Sequence, residues 1–253
     1  MQSQLLVPEP STGPAFPPKK KTPETNPYYD MWVWSCHNLE WAGPISSTAQ
    51  IKQSHHILPI FYHQFGCVVP THDALSLIQH LSKHGTVHTT KSKEPARPLP
   101  IVEIGSGNGY WAYLLRCLGL TVLCVDNQLS SWRTMWIGDT IAMDGVAFLE
   151  LRSAAARKAA RPIEKGASNA VLLLVYPQVS ADFTARVIGA YEGDVVVVAG
   201  TQSGNGFTGF RDETIGAWME RERGEFRKVV QVPLPSFAGK DEALFVFVKA
   251  KAE

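Results

Sequence analysis

Three glycines and one acid form the most chemically informative stretch of the sequence, PIVEIGSGNGYWAYLL at residues 100–115. Gly105, Gly107 and Gly109 can adopt backbone angles that other residues avoid, and they leave room for a close ligand. Glu103 stands two residues before the first glycine, within an apolar run typical of a buried strand. A carboxylate in this position repels a pyrophosphate and attracts a cationic ligand.

The spacing of the glycines separates two kinds of nucleotide site. The dinucleotide fingerprint G-x-G-x-x-G needs its third glycine at position 110, where this chain has Tyr110. S-adenosylmethionine carries a sulfonium and an ammonium group and no phosphate, so it matches a loop preceded by Glu103. A nicotinamide-dependent oxidoreductase is the weaker alternative, because its loop must accept the pyrophosphate of the dinucleotide and needs the glycine that this chain lacks.

Two further acids follow at the ends of later apolar runs. Asp126 ends the run VLCVD, where a carboxylate can accept both hydroxyl groups of a ribose. Asp144 opens DGVAFL after a third strand candidate, where it can accept from an adenine amino group. Either acid alone is equally well explained as a helix cap. The sequence predicts these cofactor-binding residues: Glu103, Gly105, Ser106, Gly107, Asn108, Gly109, Asp126, Asn127, Asp144 and Gly145.

Strand-like and helix-like segments alternate from residue 101 to residue 249. Helices are expected at 129–138, 146–160 and 180–190, among others. The last two apolar runs are joined by PSFAGKD, which is too short for a helical crossover, so they should be antiparallel. The order predicts an α/β fold: a doubly wound, mainly parallel seven-stranded sheet with a C-terminal antiparallel strand pair.

The chain divides into three parts by composition. Residues 1–27 are rich in proline and polar residues, which predicts a disordered tail. Residues 28–98 form an aromatic and histidine-rich extension or lid plus a linker, with Thr71 as the expected N-cap of a helix. Residues 99–253 form the cofactor-binding domain.

The sequence resembles the class I S-adenosylmethionine-dependent methyltransferases over about residues 99–253, in VEIGSGNG, VLCVDN, MDGVAFL and the closing strand pair. It is still more similar to a group of methyltransferase-like proteins with patterns like PTHDAL, LLVYP, GNGFTG and PSFAGKDEALFVF, which extends the likeness back to about residue 60. The resemblance implies the fold, which is the Rossmann-like methyltransferase arrangement, and the cofactor S-adenosylmethionine. It implies no particular methyl acceptor.

Candidates for catalysis are fewer. Tyr176 follows the fourth strand candidate, where it can contact the acceptor or simply pack in the core. His72 and Asp73 precede a helix and are candidates to face the cofactor mouth, although a plain helix start explains them too. Glu242 begins the last strand and either faces the pocket or is a charge on a sheet edge. No acid cluster follows the fourth strand, so no metal site is predicted.

The bulk composition limits the partners. Net charge is +1 and the isoelectric point is about 7.7, which gives no global attraction to nucleic acid or anionic membranes. No stretch is long and apolar enough to span a bilayer. The expected compartment is the cytoplasm. PPKKK at residues 17–21 is either a weak nuclear-import signal or a solvated cluster of charges, so the nucleus is the alternative compartment. The predicted function is methyl transfer to a small-molecule or protein acceptor; the alternative is a catalytically inactive binding or assembly subunit.

Overall fold

The computed structural model describes residues 25–38, 54–85, 98–131, 134–150, 163–177, 182–203, 210, 212–237 and 240–250. Residues 1–24 of the predicted tail 1–27 lie outside the described residues. The same holds for the part of the predicted helix 146–160 that follows residue 150, and for residues 204–209 of the glycine-rich stretch GTQSGNGFTGF.

Seven strands of the described chain form one sheet. In chain order they are β1 (Ile101–Ile104), β2 (Val122–Asp126), β3 (Ile141–Ala142), β4 (Val171–Val175), β5 (Val195–Thr201), β6 (Phe226–Pro233) and β7 (Glu242–Lys249). Their order across the sheet is β3-β2-β1-β4-β5-β7-β6. Neighbours from β3 to β5 are parallel, and β7 is antiparallel to both β5 and β6.

The predicted fold class is therefore confirmed. The chain moves outward in one direction from β1 to β2 and β3, and in the other direction from β4 onward. The point between β1 and β4 is a topological switch point, where ligands of open α/β sheets bind beyond the carboxyl ends of the strands. The antiparallel pairing of β6 with β7 was also predicted, from the short connection between them.

Helices cover both faces of this sheet. They are α1 (Pro27–Asn38), α2 (Ser54–Phe65), α3 (His72–His84), α4 (Tyr110–Cys117), α5 (Gly145–Glu150), α6 (Phe183–Ala190) and α7 (Ile215–Glu222). Residues of α1 to α4 share one hydrophobic core with one face of the sheet, and residues of α5 to α7 share a second core with the other face. Among the described helices, none has the length and apolar character needed to cross a membrane.

The first turn of α3 forms as its sequence predicts. The backbone N–H of Ala74 donates to the Thr71 hydroxyl at 3.1 Å, so Thr71 is the N-cap. Ala74, Ile78 and Leu81 are fully buried on the core side of the helix. This apolar face places the end of α2 and the loop before α3 beside the carboxyl ends of the strands.

The helix predicted at residues 129–138 is wrong, because the described residues of this segment are not helical. The backbone N–H of Trp136 donates to the Asn108 carbonyl at 2.9 Å, and its indole N–H donates to the Gln64 carbonyl. The Thr134 hydroxyl donates to the Gln64 side chain at 2.7 Å. These long-range bonds replace the bonds that a helix would make within the segment.

Gly109 is required by packing as well as by its backbone angle, and this can be tested. Its φ is 77°, and a Cβ added there would collide with the Ile137 side chain. Gly119 has a φ of 80° with open space around it, so it is the matched control. We expect Gly119→Ala to lower the free energy of unfolding by about 1–2 kcal/mol. Gly109→Ala should cost about 1–3 kcal/mol more, from overpacking.

Urea unfolding followed by circular dichroism measures both values. Equal losses in the two variants would mean that the contact with Ile137 contributes nothing.

Candidate functional site

A cavity of about 200 Å³ opens at the switch point, beyond the carboxyl ends of β1, β2 and β4. It is lined by the glycine loop, by the ends of these strands and by the loop after α2. The predicted residues that line it are Glu103, Gly105, Ser106, Gly107, Asn108, Asp126, Asn127 and Tyr176. The fold therefore brings most of the predicted cofactor set and one predicted catalytic residue to a single place.

The glycine loop closes on itself and on β2. The N–H groups of Gly105 and Ser106 donate to the Val125 carbonyl at 2.8 and 3.2 Å, and that of Gly109 donates to the Ser106 carbonyl at 2.9 Å. The Gly107 N–H donates to the Asp126 carboxylate at 2.9 Å. A phosphate cradle needs N–H groups that point at the ligand. Here four of the five N–H groups of the loop, those of Gly105, Ser106, Gly107 and Gly109, are already bonded within the protein, which leaves few donors for a pyrophosphate.

Glu103 is an ionisable residue in the cavity wall, and it is only 1% exposed. The thiol of Cys124 on the adjacent strand lies 4.0 Å from its carboxylate. Burial raises the pKa of the Glu103 carboxyl to about 8, although the nearby Arg116 guanidinium opposes the rise. Asp126 adds to the rise through like charge. A cation entering the cavity would favour the ionised form of Glu103.

Asp126 holds the loop while keeping acceptor capacity. One carboxylate oxygen accepts from the Gly107 N–H, and the other accepts from the Gln128 N–H at 2.6 Å. A carboxylate offers about four lone-pair sites, so acceptor positions remain for ligand hydroxyls. Asn127 beside it is exposed, and its side chain accepts from the Leu129 N–H at 3.1 Å.

Ser106 and Asn108 differ although both are buried. The Ser106 hydroxyl has no hydrogen-bond partner among the described residues. A buried hydroxyl without a partner is costly, and a ligand can satisfy it. The Asn108 side chain is fully engaged: its amide donates to the Gln64 carbonyl at 3.1 Å and its oxygen accepts from the Tyr110 N–H.

Five of the predicted site residues lie outside the lining of the cavity. The Asp144 carboxylate accepts from the N–H groups of Val146 and Ala147 at 3.0 Å, which makes it the cap of α5. A Cβ at Gly145 would collide with Ile104, and Gly109 packs on Ile137. His72 and Asp73 are exposed on the first turn of α3. Their predicted roles remain predictions.

Tyr176 has an unusual backbone. It follows β4 with a φ of 49°, in the left-handed region that aromatic residues rarely adopt. Its N–H donates to the Ala199 carbonyl at 2.7 Å, and its hydroxyl accepts from the Lys240 ammonium at 2.7 Å.

Glu242, proposed above as either a pocket residue or an edge charge, lies on β7 inside the sheet and is 2% exposed. The edge reading is wrong, because β7 is paired on both sides.

The sequence did not single out several residues that line the cavity. Phe65 is the last residue of α2, Gly66 and Cys67 come from the loop between α2 and α3, and Phe183 is the first residue of α6. Their types carry no functional signal, and only the packing of distant elements brings them together. The sequence also did not mark Lys240 as a functional residue, although Lys240 lies within the segment PSFAGKDEALFVF. Within the described residues, no group of three or more histidine, cysteine or acidic side chains is arranged to hold a metal ion.

Comparison with known proteins gives similarity of fold at low sequence identity. The sequence matches no protein-family model and no curated protein sequence. A 1,6-didemethyltoxoflavin N1-methyltransferase from Burkholderia thailandensis, bound to its substrate and S-adenosylhomocysteine, is 14% identical with a TM-score of 0.42 and covers 91% of this chain and 93% of its own. The magnesium protoporphyrin IX methyltransferase of Synechocystis PCC 6803, with bound S-adenosylmethionine, is 8% identical with a TM-score of 0.39. The match covers 60% of this chain and 70% of the methyltransferase.

Superpositions this distant carry no argument about the site, so the assignment rests on the sheet itself. The strand order β3-β2-β1-β4-β5-β7-β6 with an antiparallel β7 is the arrangement of the class I S-adenosylmethionine-dependent methyltransferases. The chain has that fold, as the sequence resemblance implied.

The raised pKa of Glu103 predicts a loss of stability as pH rises. From pH about 4.5 to about 8 the unfolded carboxyl is ionised while the folded one keeps its proton. The free energy of unfolding should therefore fall by about 1.4 kcal/mol per pH unit from this group. Glu103→Gln removes this contribution, so the variant should gain stability relative to the parent over the same interval.

Urea unfolding at pH 5, 6.5 and 8 measures the effect. Glu220→Gln, at an exposed site on α7, is the control and should follow the parent. Parallel pH dependences of Glu103→Gln and the parent would contradict a buried, protonated Glu103.

Proposed function

We propose that this chain binds S-adenosylmethionine in the cavity at the switch point and transfers its methyl group to a small-molecule or protein acceptor. The observation that carries the proposal is the buried carboxyl group of Glu103 beside a loop in which four of the five N–H groups are already bonded within the protein. A cavity wall with two acidic side chains, Glu103 and Asp126, and few free N–H donors favours a cationic nucleoside over a dinucleotide.

The residues present fit this cofactor. Glu103 would attract the ammonium group, and the free acceptor positions of Asp126 would take the ribose hydroxyls. The unpartnered Ser106 hydroxyl is a further polar group that a ligand in the cavity would satisfy. When bound, the cofactor supplies an electrophilic methyl group on a positively charged sulfur.

The division of labour between the two predicted regions follows from the lining of the cavity. We assign cofactor binding to residues 99–253, which provide Glu103, the glycine loop and Asp126. We assign part of the acceptor side to the extension at 28–98, which provides Phe65, Gly66 and Cys67. Methyl transfer then requires mainly that the acceptor be held against the methyl group away from water.

Cofactor affinity tests the proposal directly. Isothermal titration calorimetry should show that Glu103→Gln and Asp126→Asn each weaken S-adenosylmethionine binding by about tenfold or more, because each removes a charge-assisted bond of about 1.5–3 kcal/mol. The control Glu220→Gln should bind as the parent does. Absence of binding to the parent would overturn the proposed function.

Binding should also release a proton. With a pKa of about 8, Glu103 is largely protonated between pH 6 and 7, and a bound cation favours its ionised form. Affinity should rise by up to about tenfold from pH 6 to pH 7, an interval below the usual pKa of an α-amino group, about 7.7–8.0.

Calorimetry in two buffers of different ionisation enthalpy counts the released protons, and Glu103→Gln should release none. Equal proton release by this variant and the parent would assign the titration to another group. Binding without transfer of labelled methyl to any component of a cell extract would favour the inactive binding subunit.

A further inference from the structure

A cluster of ionisable side chains lies behind the β4 end of the cavity, and the proposed cofactor site does not use it. Its members are Tyr62 on α2, Cys67 after α2, Tyr176 after β4, Lys240 just before β7 and Glu242 at the start of β7. Tyr176 and Cys67 line the cavity itself. Three segments far apart in sequence thus meet at the place where an acceptor would enter.

Tyr176 is fixed at both ends. Its backbone is held in the left-handed region by the bond from its N–H to the Ala199 carbonyl, and its hydroxyl is held by Lys240 at 2.7 Å. The Lys240 ammonium also lies 5.2 Å from the centre of the Tyr176 ring. A non-glycine residue in this backbone region costs of order 1–3 kcal/mol, and such residues cluster at functional sites.

Glu242 is buried beside Ser236 and Lys240. Neither of its carboxyl oxygens makes a hydrogen bond of good geometry among the described residues. The neighbouring Ser236 hydroxyl donates to the Leu234 carbonyl at 3.1 Å and accepts from the Glu242 N–H at 2.8 Å. Burial raises the pKa of Glu242, although the Ser236 hydroxyl and the nearby Lys240 oppose the rise.

The acceptor end of the cavity carries no formal charge. The charged side chains among its described lining residues are Glu103 and Asp126, which belong to the β1 and β2 ends. The opposite end is formed by Phe65, Cys67 and Tyr176. An ionised acceptor would lose its hydration there without meeting a counter-ion in the wall, which is costly.

From this geometry we infer that the methyl acceptor is an uncharged O–H or N–H group that docks on the Tyr176 hydroxyl, and that its proton is passed through Tyr176 to Lys240. This inference rests on the proposed function, since it concerns the acceptor side of the same cavity.

The step balances without another reactant. Lys240 first loses its ammonium proton to water, so that its amine accepts from the Tyr176 hydroxyl instead of donating to it. The acceptor O–H or N–H bond then breaks, its proton moves to the Tyr176 oxygen, and the proton of Tyr176 moves to the neutral amine of Lys240. The electron pair left on the acceptor forms the new bond to the methyl carbon, and the sulfur retains the pair of the bond that breaks. Lys240 ends as an ammonium group and later returns the proton to water.

The surroundings of the two side chains agree with these roles. Burial and the nearby Tyr62, Cys67 and Glu242 raise the pKa of Tyr176 well above its usual value, so the tyrosine stays neutral throughout. Burial lowers the pKa of Lys240, although Glu242, Cys67 and Asp241 oppose this. Burial also raises the pKa of Cys67 to about 12, so this thiol adds no charge near neutral pH.

The titration of Lys240 can be measured without cofactor or activity. Trace labelling of the full chain with acetic anhydride from pH 6 to pH 11, read by peptide mass spectrometry, should give Lys240 a lower midpoint than the exposed Lys228. Equal midpoints would overturn the relay. Because this readout needs no cofactor, it separates failure of the inference from failure of the proposed function.

Phenol and benzoate are matched neutral and anionic probes of the acceptor end. With S-adenosylhomocysteine bound, calorimetry should show phenol binding at least tenfold more tightly than benzoate, and Tyr176→Phe should weaken phenol binding up to about tenfold. Preference for benzoate, absence of phenol binding, or unchanged binding by Tyr176→Phe would each overturn the inference.

Lys240→Arg separates proton acceptance from positioning. Arginine can still donate to the Tyr176 hydroxyl but does not take up a proton, since it is always charged. We expect phenol binding within about twofold of the parent, and transfer of labelled methyl to phenol reduced by about a hundredfold or more. The parent rate should rise with pH and the variant rate should not. Parent-like transfer by Lys240→Arg, or no transfer to bound phenol by the parent with its cofactor, would overturn the relay.

Discussion

The burial of one carboxylate, that of Glu103, is the constraint around which the site is built. It sits on a central strand of the sheet, with almost no exposure to water, beside the thiol of Cys124. The positive charge of Arg116 offsets part of the cost of burying Glu103. Arg116 is itself held by a bond to the Val122 carbonyl at 2.8 Å and by an ion pair with Asp139 at 2.7 Å. The remaining cost appears as a pKa near 8, and a cationic ligand would relieve it.

Tyr110 explains how the N-terminal extension is attached to this site. It stands where a dinucleotide loop would have glycine, and its hydroxyl donates to the Asn26 side chain at 2.7 Å and accepts from the Tyr28 N–H at 3.1 Å. Tyr28 in turn donates to the Gly66 carbonyl at 3.0 Å, in the loop that lines the cavity. Tyr110, which occupies the position of the third glycine in a dinucleotide loop, therefore holds α1 and the loop after α2 against the glycine loop.

The two ends of the cavity have opposite electrostatic character, and this supports a division of roles. The β1 and β2 ends present carboxylates, which suit a cation and ribose hydroxyls. The β4 end presents aromatic and neutral polar groups, with Lys240 behind Tyr176 and not in the cavity wall. A neutral nucleophile can lose its water in such a place at small cost, whereas an ion cannot.

The sequence by itself determined the sheet and the composition of the glycine loop. Strand and helix periods are local, so the alternation predicted seven strands and an antiparallel final pair, and Glu103 with its glycines lies within one short segment. Tertiary structure alone decided that residues 134–138 are held by Gln64 and Asn108 instead of forming a helix, and that Lys240 reaches Tyr176. These contacts join residues 28 to 72 positions apart, and the chemistry of each partner is ordinary until the fold brings them together.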